Sequence, residues 1–196
     1  MEFMLSAIEA ILDNIRDAEE YLVEEDIANF IEIITTADNI FVTGAGRSGL
    51  AAKAFAMRLM HLGLSSYVVG ETISPAINAG DCILAISGSG ETNTIVTAAR
   101  ISKKRGAKVL ALTSYPESSL GQLADGIIHV KGRTKVEVDD ENYLKRQIKG
   151  NYTSLTPLGT AFELTSLVFL DGFVGAPWIP AITCLSLPRC VKSNML

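Results

Sequence analysis

The chain has 196 residues, and 17 lysines and arginines against 22 aspartates and glutamates leave a formal net charge of −5. That balance excludes a nucleic-acid surface built on bulk charge, since phosphate neutralisation needs a basic excess or stripe. With 48% hydrophobic and 20% charged residues, the composition is that of a folded protein with one large core, not of a disordered chain.

The N-terminal run MEFMLSAIEAILDNIRDAEE places acidic residues where a secretion signal needs basic ones, so no export signal is expected. From Leu5 to Ile34 apolar residues recur three and four apart (Leu5, Ile8, Ile11, Leu12, Ile15, then Ile27, Phe30, Ile31, Ile34), which predicts two amphipathic helices with acidic outer faces. We treat residues 1–38 as a helical extension that packs on the domain. At Asn39 the pattern changes to NIFVTGAGRSG, a short strand that ends in glycines, and LAAKAFAMRLMHLG then predicts a helix stopped by Gly63.

The strand, glycine turn and helix then recur. SSYVVG (65–70) and DCILAISGSG (81–90) read as strands, and ETNTIVTAARISKKRG (91–106) as a helix with basic residues in its last turn. AKVLALTS (107–114) is a fourth strand, PESSLGQLADG (116–126) a short helix opened by Pro116, and IIHVKG (127–132) a fifth strand. Apolar strands alternating with helices predict an α/β fold: a doubly wound, five-stranded parallel sheet of flavodoxin-like type, covered on both faces. Residues 131–156 are polar and aperiodic and read as an exposed connection, and the segment after Pro157 predicts a long helix that starts near Thr160. The apolar stretch Leu164 to Leu187 is interrupted by Asp171, Pro177 and Pro180, so no membrane span is expected. Cys82, Cys184 and Cys190 lack the spacing of a zinc site or a disulfide framework, which fits a reduced, cytoplasmic setting.

Two loops carry the chemistry. In an open parallel sheet, ligands bind beyond the carboxyl ends of the strands, where strand order reverses. Gly44-Ala45-Gly46-Arg47-Ser48-Gly49 allows close backbone approach and leads into a helix N-terminus that favours an anion. It matches neither GxGxxG nor GxxxxGK[ST]. Read alone, it is equally a tight turn with a surface arginine. Ser87-Gly88-Ser89-Gly90-Glu91-Thr92 offers hydroxyls and N–H groups at a second helix start; read alone, it is equally an N-cap. Together, at one sheet edge, the pair predicts a phosphate site of neutral donors, compatible with a negative net charge.

A base for carbon-acid chemistry would be a partly desolvated carboxylate near this edge, and Glu71, Glu91 and Glu163 are the candidates. Glu163 stands alone in the apolar run PLGTAFELTSLVFL, on the first turn of a helix, a position that a dipole partner would also occupy. Glu91 reads as a loop-ordering or helix-start residue, and Glu71 as a candidate to orient hydroxyls or to structure its own loop. His61 and His129 lie away from the strand-end loops and read as packing or surface residues.

GAGRSGLAAKAFAMRLMHLG, VGETISPAI, SGSGETNTIV, TSYPESSLGQLAD and TPLGTAFELT, in this order, resemble the sugar isomerase (SIS) family, and within it the 6-phospho-3-hexuloisomerases. The likeness spans roughly residues 5 to 175, so residues 39–175 read as the SIS domain. Arg47 and the PLGTxFE segment mark that group off from relatives with lysine in the first loop. The resemblance implies interconversion of D-arabino-hex-3-ulose 6-phosphate and D-fructose 6-phosphate without metal or organic cofactor. Glu163 would be the proton acceptor, Arg47 a catalytic partner, and Ser48, Ser87, Gly88, Ser89, Gly90, Glu91 and Thr92 the substrate-binding set. It further implies a homotetramer with sites at subunit contacts, and 3-hexulose-6-phosphate synthase as pathway partner in the ribulose monophosphate route of formaldehyde fixation or its reverse. Two other readings stand beside it: a non-catalytic sugar-phosphate-binding SIS module, and an isomerase of another phosphosugar such as arabinose 5-phosphate. Family members usually close on a helix with a histidine. This chain ends instead on an atypical tail (176–196) and has no histidine after His129.

Overall fold

A computed structural model describes residues 1–132 and 160–175. The predicted connection beyond residue 132, the Pro157 start and the tail 176–196 lie outside the described residues.

The chain begins with α1 (Glu2–Asp17), a 3-10 turn (Ala18–Tyr21) and α2 (Glu24–Thr36). It continues through β1 (Ile40–Gly44), α3 (Arg47–His61), β2 (Ser66–Val68), β3 (Cys82–Ile86), α4 (Asn93–Lys104), β4 (Lys108–Thr113) and β5 (Gly126–His129). The last described element is α5 (Thr160–Gly175). The five strands form one sheet in the order β2-β1-β3-β4-β5, with every neighbouring pair parallel. This is the expected doubly wound architecture, and its order reverses between β1 and β3.

Side chains alternate across the sheet because successive Cβ atoms point to opposite faces. Ile40, Val42, Leu84, Ile86, Leu110, Leu112 and Ile128 pack with Phe30 and Ile34 of α2, Phe55 and Leu59 of α3, and Phe162 and Phe173 of α5. Phe41, Ile83, Ala85, Val109 and Ala111 pack on the other face with Ile95, Val96 and Ala99 of α4 and with Leu120. Three helices thus cover one face and α4 the other. Phe173 joins the three-helix layer, its ring 5.0 Å from that of Phe30 and 5.9 Å from that of Phe55.

Two differences from the sequence reading have clear causes. α3 starts at Arg47, not Leu50, because Gly46 takes φ +59° as its N-cap and the chain turns helical at once. The helix expected over 116–126 shrinks to a 3-10 turn (Gly121–Leu123). There the chain folds back on itself so tightly that a Cβ on Gly121 would sit 1.8 Å from the Pro116 carbonyl oxygen. That close approach leaves no room for a regular helical turn.

Candidate active site

The parallel register sets Gly44 of β1 level with Ile86 of β3. Strands in a sheet lie about 4.8 Å apart, so the two glycine-bearing loops leave the sheet side by side at the switch point. The β1 loop is locked by its own glycines: a Cβ on Gly44 would meet the Ser48 carbonyl group at 2.7 Å, and one on Gly49 would meet the Gly44 oxygen at 2.7 Å. α3 therefore begins directly against the end of β1, with Ser48 buried in its first turn and Arg47 exposed. The first N–H groups of a helix have no partner inside it, and they face this edge.

The β3 loop is held from below and from the side. Ser87 N–H donates to Leu112 O, and the Ser87 and Thr92 hydroxyls lie 3.1 Å apart. Gly90 takes φ +64°, and a Cβ there would fall 1.9 Å from Ser118 Oγ. Gly90 O accepts from Leu120 N–H, and Gly88 O accepts from Ser114 N–H, so the loop after β4 braces the loop after β3. The Glu91 carboxylate completes the brace, accepting from Ser119 N–H and Ser119 Oγ, each at 2.7 Å. Glu91 thus has the loop-ordering arrangement read from the sequence. Ser118 and Ser119 were not singled out, and the signal that could have found them is a serine pair just past the end of the neighbouring strand.

Glu163 reaches this edge from the far end of the chain. Its Oε2 lies 3.4 Å from Arg47 Nε, and its side chain is 15% exposed against 49% for Arg47. A second ion pair, Arg58 to Asp171 at 3.2 Å, links the same two helices further along. Arg47 and Glu163 open their helices, and Arg58 and Asp171 lie about two to three turns later, so α3 and α5 run parallel. Both N-termini then open on the same side, beside that of α4, and three positive helix ends converge on one region. Among the described residues, Thr160 Oγ1 is buried there without a hydrogen-bond partner.

Glu71 takes no part in this cluster. It pairs with Lys53 at 2.5 Å, both side chains half exposed, and so ties the loop after β2 to α3. His61 is exposed at the end of α3, and His129 packs edge-on against Tyr21, 5.0 Å between ring centres. A surface cavity of about 420 Å³ beside β5, lined by Tyr21, Asn29, Asp125 and His129 among others, shares no residue with the switch-point cluster. Among the described residues, no group of three His, Cys, Asp or Glu side chains is placed to hold a metal ion, and no helix is long and apolar enough to cross a membrane.

The arrangement can bind an anion with neutral donors and present one carboxylate, paired with one guanidinium, to whatever the anion carries. Comparison with known proteins identifies the family. The SIS domain model matches residues 33–155. The 3-hexulose-6-phosphate isomerase of Bacillus subtilis is 40% identical over 164 residues, covering 84% of this chain and 83% of that protein. The 3-hexulose-6-phosphate isomerase of Mycobacterium gastri is 40% identical over 141 residues, 72% of this chain and 70% of that protein. A Methanococcus jannaschii crystal structure, from which a molecular function of 3-hexulose-6-phosphate isomerase is inferred, superposes with a TM-score of 0.69 at 32% identity, covering 85% of this chain and 86% of that one. The chain belongs to the sugar isomerase (SIS) domain family.

Proposed function

We propose that this protein is a ketose-phosphate isomerase that interconverts D-arabino-hex-3-ulose 6-phosphate and D-fructose 6-phosphate through an enediolate. The observation that carries the reading is the Glu163–Arg47 pair at the switch point, next to two loops built to hold a phosphate. The relatives named 3-hexulose-6-phosphate isomerase support the choice of substrate.

In the direction of fructose 6-phosphate, Glu163 removes the proton from C2, and the electron pair of that bond forms the C2–C3 double bond as O3 takes negative charge. Arg47 stabilises the developing enediolate oxygen electrostatically. The proton returns at C3 and the hydroxyl proton passes from O2 to O3, leaving the carbonyl at C2. Ser48, Ser87, Gly88, Ser89, Gly90 and Thr92 hold the phosphate and the sugar through hydroxyls and N–H groups, while Glu91 keeps their loop in shape. The chemistry needs no metal or organic cofactor, because a carboxylate base and a fixed cation suffice for proton transfer beside a carbonyl. The reading includes a cytoplasmic homotetramer that takes its substrate from 3-hexulose-6-phosphate synthase.

The test is a coupled assay in which ribulose 5-phosphate, formaldehyde and a hexulose-phosphate synthase are supplied and fructose 6-phosphate is measured. In deuterium oxide, fructose 6-phosphate incubated with the protein gains deuterium at C3. Binding of fructose 6-phosphate with neither turnover nor exchange would replace this reading with that of a binding module.

A further inference from the structure

Buried hydroxyls are nearly always hydrogen-bonded, because leaving one unpaired costs free energy. Thr160 departs from this: it is 6% exposed, and its Oγ1 has no partner among the described residues. Its buried neighbours on α5 are satisfied, Thr165 donating to Asn14 Oδ1 at 3.4 Å and Ser166 to Phe162 O at 2.7 Å. Ser66 and Ser102 elsewhere in the core donate to Ala56 O and Ala98 O. The position of Thr160 gives its hydroxyl a direction. Thr160 and Glu163 are three apart on α5 and share one face of it, with Cβ atoms about 5–6 Å apart. Helical side chains lean toward the N-terminus, so the Glu163 carboxylate reaches back over the turn that Thr160 opens. That face meets α3, as the contact of Glu163 with Arg47 shows. Phe162 turns the other way into the core, and a Cβ on Gly132, just past β5, would stand 2.6 Å from its own Cβ. The first turn of α5 is thereby pressed against the end of the sheet, with Thr160 on the side of the switch-point cluster.

We propose that Thr160 is a substrate-binding residue whose hydroxyl takes its hydrogen-bond partner from the sugar, at an oxygen close to the carbons between which Glu163 is proposed to move the proton. This deepens the isomerase reading of the site and rests on it. The phosphate is not the partner: one helical turn from the Glu163 carboxylate a dianion would be repelled, and the N–H groups of the β1 and β3 loops suit it better. A sugar hydroxyl is neutral and both donates and accepts, as the threonine hydroxyl does. In the ligand-free protein the unpaired group lowers stability, and binding removes that cost. No bond inside the protein has to break before Thr160 engages the ligand, so the contact is preorganised.

Calorimetric titration of the full-length protein with fructose 6-phosphate, and separately with inorganic phosphate, tests it. Thr160→Val binds fructose 6-phosphate about tenfold more weakly and inorganic phosphate as tightly as before, and Thr160→Ser, which restores the hydroxyl, recovers most of the loss. Without ligand, Thr160→Val melts higher than the wild type, so a folding defect is not the cause of the weaker binding. Unchanged affinity for fructose 6-phosphate in Thr160→Val, an equal loss for both ligands, a loss that Thr160→Ser does not recover, or a lower melting temperature of Thr160→Val overturns the proposal. The reaction is read separately, from deuterium exchange by the wild-type protein. Absence of exchange alongside the expected affinities removes the isomerase and leaves the contact, whereas exchange without the difference in affinity removes the contact and leaves the isomerase.

Discussion

Glu163 and Arg47 stand 3.4 Å apart although 115 residues separate them in the chain, and their contact sets the carboxylate beside the two switch-point loops. Arg47 is half exposed while Glu163 is largely buried, so the guanidinium holds in place a carboxylate that is mostly shielded from water.

Glu163→Gln keeps the shape of the side chain and removes the proposed base. The expected result is a loss of roughly a hundredfold to ten-thousandfold in kcat with substrate binding retained, the range general-base catalysis supplies. Nuclear magnetic resonance of deuterium wash-in at C3 of fructose 6-phosphate checks it, and turnover at the normal rate would remove Glu163 from the role of proton acceptor.

Ser119→Ala removes one of the two hydrogen bonds that the Glu91 carboxylate accepts. An exposed bond of this kind is worth about 1 kcal/mol, so KM rises about fivefold with kcat nearly unchanged. Steady-state kinetics separates the two parameters. A fall in kcat alone would place Ser119 in the chemistry, not in the brace.

Gly90→Ala puts a methyl group where Ser118 Oγ stands, at a backbone angle that L-residues avoid. Strain of this kind costs about 1–3 kcal/mol. Chemical denaturation should show that loss together with weakened phosphate binding, whereas Gly46→Ala, also at positive φ but with open space around its Cβ, loses less.

Thr160→Val deletes a buried hydroxyl that has no partner among the described residues. Leaving such a group unpaired costs about 1–3 kcal/mol, and the variant is therefore more stable by about 1 kcal/mol. A lower melting temperature in calorimetry would show that the hydroxyl is satisfied in solution.

Burial, reinforced by the neighbouring Asp81, pushes the Cys82 thiol up to about 12 from an ordinary value of 9.0. At pH 8 only on the order of one molecule in ten thousand then carries the reactive thiolate at this position. Peptide mapping after alkylation should find Cys82 unmodified until the protein unfolds. The unfolded chain gives up this proton near 9.0 and the folded chain near 12. The stability contributed is therefore complete below 9 and declines as pH rises through that window, by about 1.4 kcal/mol per pH unit.

The sheet was legible because each of its strands is a short apolar run closed by glycine or a polar turn, and strands buried on both faces carry that signature wherever they lie in the order. The switch-point loops were legible for a related reason: Gly44, Gly46 and Gly90 stand where only backbone fits or where φ is positive, and composition records this. What spacing could not show is adjacency. Ser119 matters only because β4 lies beside β3, and Gly121 ends a would-be helix only because Pro116 folds back over it. Glu163 drew attention as a charge in an apolar run and through the resemblance, but its approach to Arg47 depends on two helices running parallel, which neither segment states by itself.

On the proposed reading, that parallel arrangement separates recognition from reaction. The loops proposed to grip the anion belong to neighbouring strands joined by continuous backbone hydrogen bonds, whereas the proposed base rides on a helix contributed by a distant part of the chain and fastened by aromatic rings and two ion pairs. Loosening that helix is then expected to remove the chemistry before it disturbs the grip. On that reading, heating is expected to release α5 before the sheet melts, leaving a protein that captures its ligand without transforming it.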